Sequence, residues 1–331
     1  MSAFDRQPKV VVTDLEFPHD GFEQATLAPL GASVERHACR TEDEVIAVSR
    51  DADALLVQWA PVSARVIDAL DRCRVISRYG IGVDNIDIAA ATGKGIVVCN
   101  VPDYCQEEVA THAVALILAL ARRIVPLVDS VRAGEWDAVV AAGPIANLSD
   151  QTLGLLSLGR IGRLVARRAQ AFGLRVIAHD PYLNDAAVKD SGVTLVDLPI
   201  LLRESDYLSL HAPLTGETRQ IIDAAALAQM RPTAQIVNTA RGGLIDSMAL
   251  AEAVREGRIG GAALDVLDTE PLPGDHPLRN LPNVLITPHA AWYSSASLPA
   301  LRERAVDEIA RFLRGDPQRS PVNPDAVAAR S

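Results

Sequence analysis

The chain has 331 residues, room for two domains, and its 49% hydrophobic and 22% charged content are those of an ordinary globular protein with a sizeable core. A formal net charge of −10 argues against a nucleic-acid surface as the main partner. Four cysteines include no C-x-x-C, and no Cys/His cluster has metal-ligand spacing, so reduced thiols in a cytoplasmic protein without a metal centre are expected.

In chain order the sequence alternates strands and helices. It enters a strand over 10–13 with no signal-peptide core before it, then a helix over 22–30 that Gly31 ends. Thr41 and Glu44 form a capping box opening a helix to Ser49. A strand over 54–59 follows, and Pro61 starts the next helix, where its missing N–H costs nothing. A strand over 74–77 leads into Arg78-Tyr79-Gly80-Ile81-Gly82, then come a short helix to Thr92 and a strand over 96–99. The longest helical stretch, 107–123, contains the apolar run 109–121. That run is too short to span a bilayer and is flanked by Glu107, Glu108, Arg122 and Arg123, so a buried helix between domains is expected rather than a membrane segment. A short helix over 128–134 and a loop over 141–149 complete the first half.

The stretch 152–180 organises the rest. A short apolar strand over 153–156 runs into a tight turn in which Gly159 and Gly162 open a helix. Leu164, Val165, Ala169 and Phe172 form the apolar face of that helix, and Gly173 is placed to close it in a left-handed conformation. A second strand over 174–178 ends at Asp180. Strand, glycine turn, helix, strand and acid is the order a dinucleotide site needs: glycine admits a pyrophosphate, helix N–H groups bind it, and the acid takes a ribose hydroxyl. Asp180 favours NAD over NADP, because a carboxylate repels the extra phosphate. Ser157 stands where the fingerprint wants glycine, which bears on cofactor affinity; replacing it with glycine is expected to leave binding equal or tighter unless its hydroxyl has a contact of its own.

Further strands are expected over 207–210, 235–238, 262–266 and 284–286, and helices near 198–203, 224–228 and 246–256. A last long helix from Ala290 to about Leu313 returns to the first domain. Repeated βα alternation gives α/β architecture, two doubly wound parallel-sheet domains, a Rossmann domain at 103–290 inserted into a flavodoxin-like domain formed by 1–102 and 291–331. Ligands in such sheets bind beyond the carboxyl ends of strands. Three motifs lie there: Asn238-Thr239-Ala240-Arg241-Gly242-Gly243, then Asp265 to Pro271 with Glu270, then Thr287-Pro288-His289-Ala290-Ala291-Trp292. A histidine with a carboxylate partner is a tuned acid/base, and an arginine offers two parallel donors to a carboxylate or ketone. Beside a nicotinamide, that set suits hydride transfer between a carbonyl and an alcohol.

Over nearly its full length the chain resembles the D-isomer-specific 2-hydroxyacid dehydrogenases. The motifs are RYGIGVDNIDI (78–88), CNVPDYCQEEVA (99–110), SLGRIG (157–162), HDPYL (179–183), VNTARGGLID (237–246), GGAALDVLDTEPL (260–272) and TPHAAWYS (287–294). HAAW followed by Tyr293 resembles most the branch of the C-terminal binding proteins. The resemblance implies substrate in a cleft between the two domains, with His289 as acid/base, Glu270 as its partner and Arg241 as binder of the keto acid. It implies that the amides of Tyr79 and Gly80 hold the substrate carboxylate, with Arg78 nearby. The cofactor, NAD, would touch Ile81, Ser157, Gly159, Arg160, Ile161, Gly162, Asp180, His211, Ala212, Pro213, Thr239, Ala240 and Asp265. A homodimer through the interdomain helices is implied, the 109–121 run fitting that role, with no nucleic-acid or membrane partner.

The first expectation is therefore a 2-keto-acid reductase. Two others are a 3-phosphoglycerate dehydrogenase and an NAD-sensing scaffold. No regulatory domain follows Arg311 and Trp292 would crowd a phosphate, which speaks against the former. The short ends and intact trio speak against the latter. In a helix opening at Ala290, Trp292 would share a face with His289 and wall the substrate side-chain pocket, favouring medium apolar or thioether keto acids.

Overall fold

The computed structural model describes residues 6–17 and 20–328; parts of the expected first domain, at 1–5, 18–19 and 329–331, lie outside the described residues. The chain divides into two compact units, Met1–Tyr104 with Ser294–Ser331, and Cys105–Tyr293.

In the first unit, β1 (Lys9–Val12), β2 (Ser33–Arg36), β3 (Ala54–Val57), β4 (Val75–Arg78) and β5 (Val97–Cys99) form a parallel sheet in the order β2-β1-β3-β4-β5. This is the flavodoxin-like order. Central strands buried on both faces read as continuous apolar runs, and β3 is buried at every residue. Val11, Leu55, Val57, Ile76 and Val98 fill one face with Val66 and Ile67 of helix Ala64–Ala69. Helix Ser297–Arg314 packs on β4, where the Ser77 hydroxyl donates to Ala305 O at 2.8 Å.

In the second unit, seven parallel strands run in the order β12-β11-β10-β9-β6-β7-β8. They are β6 (Thr152–Leu156), β7 (Arg175–His179), β8 (Thr194–Leu195), β9 (Tyr207–Leu210), β10 (Gln235–Asn238), β11 (Gly261–Leu264) and β12 (Val284–Ile286). The order reverses between β6 and β9, which are paired from Leu153↔Tyr207 to Leu156↔Leu210. Helix Gln106–Ala121 lies against helix Arg160–Ala171 and the sheet, burying Ala110, Ala113 and Ile117 among Leu153, Leu155 and Val165. Most of the apolar run 109–121 is thus core of this unit, with Thr111 and Ala115 exposed.

Several expectations change. Pro61 does not start a helix: Val62 is held extended in a parallel bridge with Ile86, and Ser63 precedes helix Ala64–Ala69. Strands β2 and β8 were not expected; β2 is a half-exposed edge carrying Glu35 and Arg36, and β8 has only two residues. The stretch 141–149 is not all loop, since Asp137 caps helix Ala138–Ala142. Phe172 is half exposed, lying past helix Arg160–Ala171 as its C-cap, before Gly173 turns at φ 88°. The last helix begins at Ser297, seven residues later than expected, because Asp265 takes the amides of Ala290 and Ala291.

Candidate active site

Strand order reverses between β6 and β9 in the second sheet, and α/β sheets bind ligands beyond the carboxyl ends of their strands at such a point. The turn after β6 carries Ser157 at φ 76° and Gly159 as N-cap of helix Arg160–Ala171. The first helical bond is made by the Arg163 amide to Gly159 O at 3.0 Å, so the amides of Arg160, Ile161 and Gly162 precede it at the positive end of the helix. A Cβ on Gly162 would lie 2.5 Å from Ser157 O, so glycine alone lets the helix sit this close to the turn. Asp180 follows β7, its Oδ2 accepting from the Leu158 amide at 2.9 Å and the Ser157 hydroxyl at 3.2 Å. Its Oδ1 accepts from the Tyr182 amide at 3.1 Å.

His211, Ala212 and Pro213 follow β9. Desolvation lowers the pKa of His211 to about 4, so its imidazole is neutral; its Nε2 lies 3.0 Å from the Ser209 hydroxyl. A neutral ring suits a lining residue better than a proton donor. After β10, Thr239 is buried and its hydroxyl has no hydrogen-bond partner among the described residues. An unsatisfied buried hydroxyl on this edge, together with a glycine turn and a helix N-terminus at the end of β6, fits the polar atoms of a dinucleotide.

The His289–Glu270 pair lies farther along the same edge. His289 Nδ1 and Glu270 Oε2 are 2.7 Å apart, and Glu270 Oε1 accepts from the Leu267 amide at 2.8 Å. Burial raises the Glu270 pKa, but the bond from His289 and the nearby positive charges outweigh it and leave the carboxyl below its usual value. Arg241 is placed by Asn238, which accepts from the Ala240 amide at 3.0 Å and donates to Arg241 O at 2.9 Å. The Arg241 guanidinium donates to Ala240 O at 2.7 Å. Gly242 then packs on the neighbouring loop so closely that a Cβ would stand 1.8 Å from Leu267 C. This close approach brings the Arg241 turn beside the Glu270 loop.

His289 itself has φ 51°. Asp265, almost wholly buried, holds that conformation: its O accepts from the His289 amide at 2.8 Å, and its carboxylate accepts from Ala290 and Ala291, each at 2.9 Å. The Thr287 hydroxyl donates to Asp265 Oδ1 at 2.5 Å and lies 3.2 Å from His112 Nε2. Asp265, expected as a cofactor contact, therefore has its carboxylate engaged in supporting the His289 turn. Asn238 and Gly242 were noted only as members of the strand-end motif, not for their placing of Arg241, and His112 was not expected here. The Arg-Gly-Gly run was a signal for Gly242, and nothing in the spacing signals His112.

In the first unit, Arg78 is buried beneath Gly80, its Nε donating to Gln58 O at 3.2 Å and its guanidinium stacked 5.0 Å from the Trp59 ring. The Tyr79 amide donates to Val57 O at 2.8 Å and the Gly80 amide to Arg78 O at 2.9 Å, so both donors expected for a substrate carboxylate are engaged by backbone. The Tyr79 ring is buried with its hydroxyl donating to Glu23 Oε1 at 3.3 Å. Asn100 pins the loop by donating to Ile81 O at 2.6 Å. Trp292 lies edge-on to Tyr293, with ring centroids 5.6 Å apart, in the turn before the last helix. The helical spacing that placed it on the face of His289 does not exist.

Residues 114–291 match the family model described as D-isomer specific 2-hydroxyacid dehydrogenase, NAD binding domain. A D-3-phosphoglycerate dehydrogenase of Methanocaldococcus jannaschii is 43% identical over 86% of the chain, and the chain spans 54% of that relative's length. A glyoxylate reductase of Korarchaeum cryptofilum is 41% identical over 85% of the chain and 86% of its own length. The crystal structure of D-lactate dehydrogenase from Aquifex aeolicus complexed with NAD and lactic acid is 29% identical, with a TM-score of 0.84 over 95% of this chain and 99% of that one.

Proposed function

The chain belongs to the D-isomer specific 2-hydroxyacid dehydrogenases, and on that premise we propose that it is an NAD-dependent 2-keto-acid reductase with His289 as acid/base. The observation that carries this is the 2.7 Å bond between His289 and Glu270. With Glu270 ionised, Nδ1 carries the proton of that bond, and Nε2 is the atom that hands a proton to the substrate's keto oxygen. Glu270 stabilises the imidazolium and fixes the ring. Arg241 orients and polarises the keto acid through its fork of donors. Bound NADH supplies the hydride. Asp180 and the amides from Arg160 to Gly162 hold the cofactor, with His211, Ala212, Pro213, Thr239 and Ala240 along the edge. We assign the substrate carboxylate to the loop after Arg78, through the amides of Ile81 and Gly82 in place of those of Tyr79 and Gly80. The first unit is then the substrate domain and the second the cofactor domain.

The substrate class follows the relatives' names: small 2-keto acids, among them those related to glyoxylate, lactate and 3-phosphoglycerate. Kinship with the C-terminal binding proteins, and with it a scaffold role, rests on Trp292 and Tyr293 alone. For the dimer we assign a new surface in place of the 109–121 run: Ile124, Val128, Val131, Trp136, Val139 and Val140 are exposed on neighbouring segments of the second unit. An apolar array of this kind marks an interface, and a second copy is the occupant assigned. Sizing of the wild type and Trp136→Ser tests it, a monomeric wild type being the contrary result. The four cysteines are free and buried, which suits the cytoplasmic location we assign.

The functional test is NADH oxidation across glyoxylate, pyruvate, hydroxypyruvate, phosphohydroxypyruvate and a methionine-derived thioether keto acid. Turnover of at least one supports the proposal. Tight NADH binding with no turnover of any favours the scaffold.

A further inference from the structure

Ser157 occupies the first glycine position of the dinucleotide turn at φ 76°, a left-handed backbone in which a side chain is strained. The turn that wants glycine here carries instead a hydroxyl, and among the described residues that hydroxyl has one partner: it donates to Asp180 Oδ2 at 3.2 Å. The same oxygen accepts from the Leu158 amide at 2.9 Å, and Oδ1 accepts from the Tyr182 amide at 3.1 Å. Asp180 is thus held by three donors, two from backbone that any sequence would present and one that exists only because residue 157 is serine. The bond joins the turn after β6 to the end of β7, and these strands are already in register from Thr152↔Arg175 to Leu156↔His179. Serine is therefore not needed to pair the strands, and the hydroxyl adds a restraint on the carboxylate alone.

We propose that Ser157 is a positioning residue for cofactor choice: its strained backbone is tolerated because its hydroxyl holds the Asp180 carboxylate where a ribose 2′-hydroxyl is recognised. This rests on the assignment of the turn and Asp180 to the dinucleotide. The strain is local to the turn, as the carbonyl of Ser157 is also the atom against which Gly162 packs. Removing the hydroxyl leaves that packing in place. It releases the one restraint on Asp180 that comes from a side chain, and so separates recognition of the ribose from shape of the turn.

The test is a set of dissociation constants for NADH and NADPH, read by protein–cofactor energy transfer without substrate. The proteins are wild type, Ser157→Gly, Ser157→Ala, Asp180→Ala and the Ser157→Gly/Asp180→Ala double variant. Loss of one hydrogen bond to a charged, half-exposed group sets the scale: Ser157→Gly weakens NADH about three- to tenfold, and does not weaken NADPH. In the Asp180→Ala background the same change has no effect on NADH, because the residue acts through Asp180. Ser157→Ala, with strain kept and the bond lost, weakens NADH as Ser157→Gly does and melts at a lower temperature than Ser157→Gly. Equal or tighter NADH binding in Ser157→Gly overturns the proposal. So does parallel weakening of both cofactors, which means that the turn itself was disturbed, or a loss that persists without Asp180. If Asp180→Ala leaves both constants at wild-type values, the assignment of Asp180 to the cofactor fails and the proposal falls with it, whereas an effect of Asp180 without one of Ser157 overturns the proposal alone.

Discussion

Gly242→Ala addresses how Arg241 and Glu270 are brought together. A methyl group there would stand 1.8 Å from Leu267 C, 2.1 Å from Leu267 O and 2.3 Å from Asp268 N, all of them backbone atoms. Restoring ordinary contact at 3.4 Å from the nearest of these separates the two loops by about 1.6 Å. Neither side has a flexible side chain to yield, so the Arg241 turn and the Glu270 loop move as backbone. Overpacking of this kind costs about 1–3 kcal/mol of stability. A displacement of about 1 Å in a positioned group lowers the rate by ~10²-fold. Gly242→Ala is therefore expected to lower kcat/KM for the best keto acid by about a hundredfold, with a smaller rise in the Kd for NADH, since the Ser157–Asp180 turn is untouched and only the Thr239–Ala240 edge adjoins the moving loop. Steady-state kinetics, cofactor binding and a thermal melt of the same preparation give all three numbers. A folded variant with kcat/KM within about twofold of wild type would falsify the idea that loop apposition sets the site.

Glu270→Gln removes the carboxylate bonded to the His289 ring, and the pH profile of keto-acid reduction is expected to change; a superimposable pH profile would detach Glu270 from His289. The Glu270 pKa is depressed in the folded chain, so the stability it contributes is present above its usual value of 4.5 and lost as pH falls through the folded value. The melting temperatures of wild type and Glu270→Gln should accordingly differ near neutrality and converge in acid. Asp180→Ala is expected to bring the kcat/KM values for NADH and NADPH together by removing a ribose acceptor and a repulsive charge. An unchanged cofactor preference would contradict that role.

Much of the architecture was legible because most of the strands are buried on both faces and read as apolar runs, as in β3 and β6. The half-exposed β2 and two-residue β8 lack that signature. Site motifs were legible as strand ends, since Arg241, Glu270 and His289 follow β10, β11 and β12. What the sequence could not reveal is long-range. Asp265 takes the amides of Ala290 and Ala291, 25 and 26 residues away, which delays the last helix to Ser297. That bond pair undid the placing of Trp292 on a helical face with His289. The engagement of the Tyr79 amide by Val57 is likewise a strand-to-strand contact. At Ser157 the departure from glycine was visible, but its partner Asp180 was not.

The most direct measurement of the central claim is the rate of NADH oxidation with the best keto acid in wild type and His289→Ala, paired with the Kd for NADH in each. The account expects kcat to fall by ~10²–10⁴-fold, the scale of lost general acid/base catalysis, with cofactor binding retained. Near-wild-type turnover in His289→Ala would contradict it, whatever the other variants show.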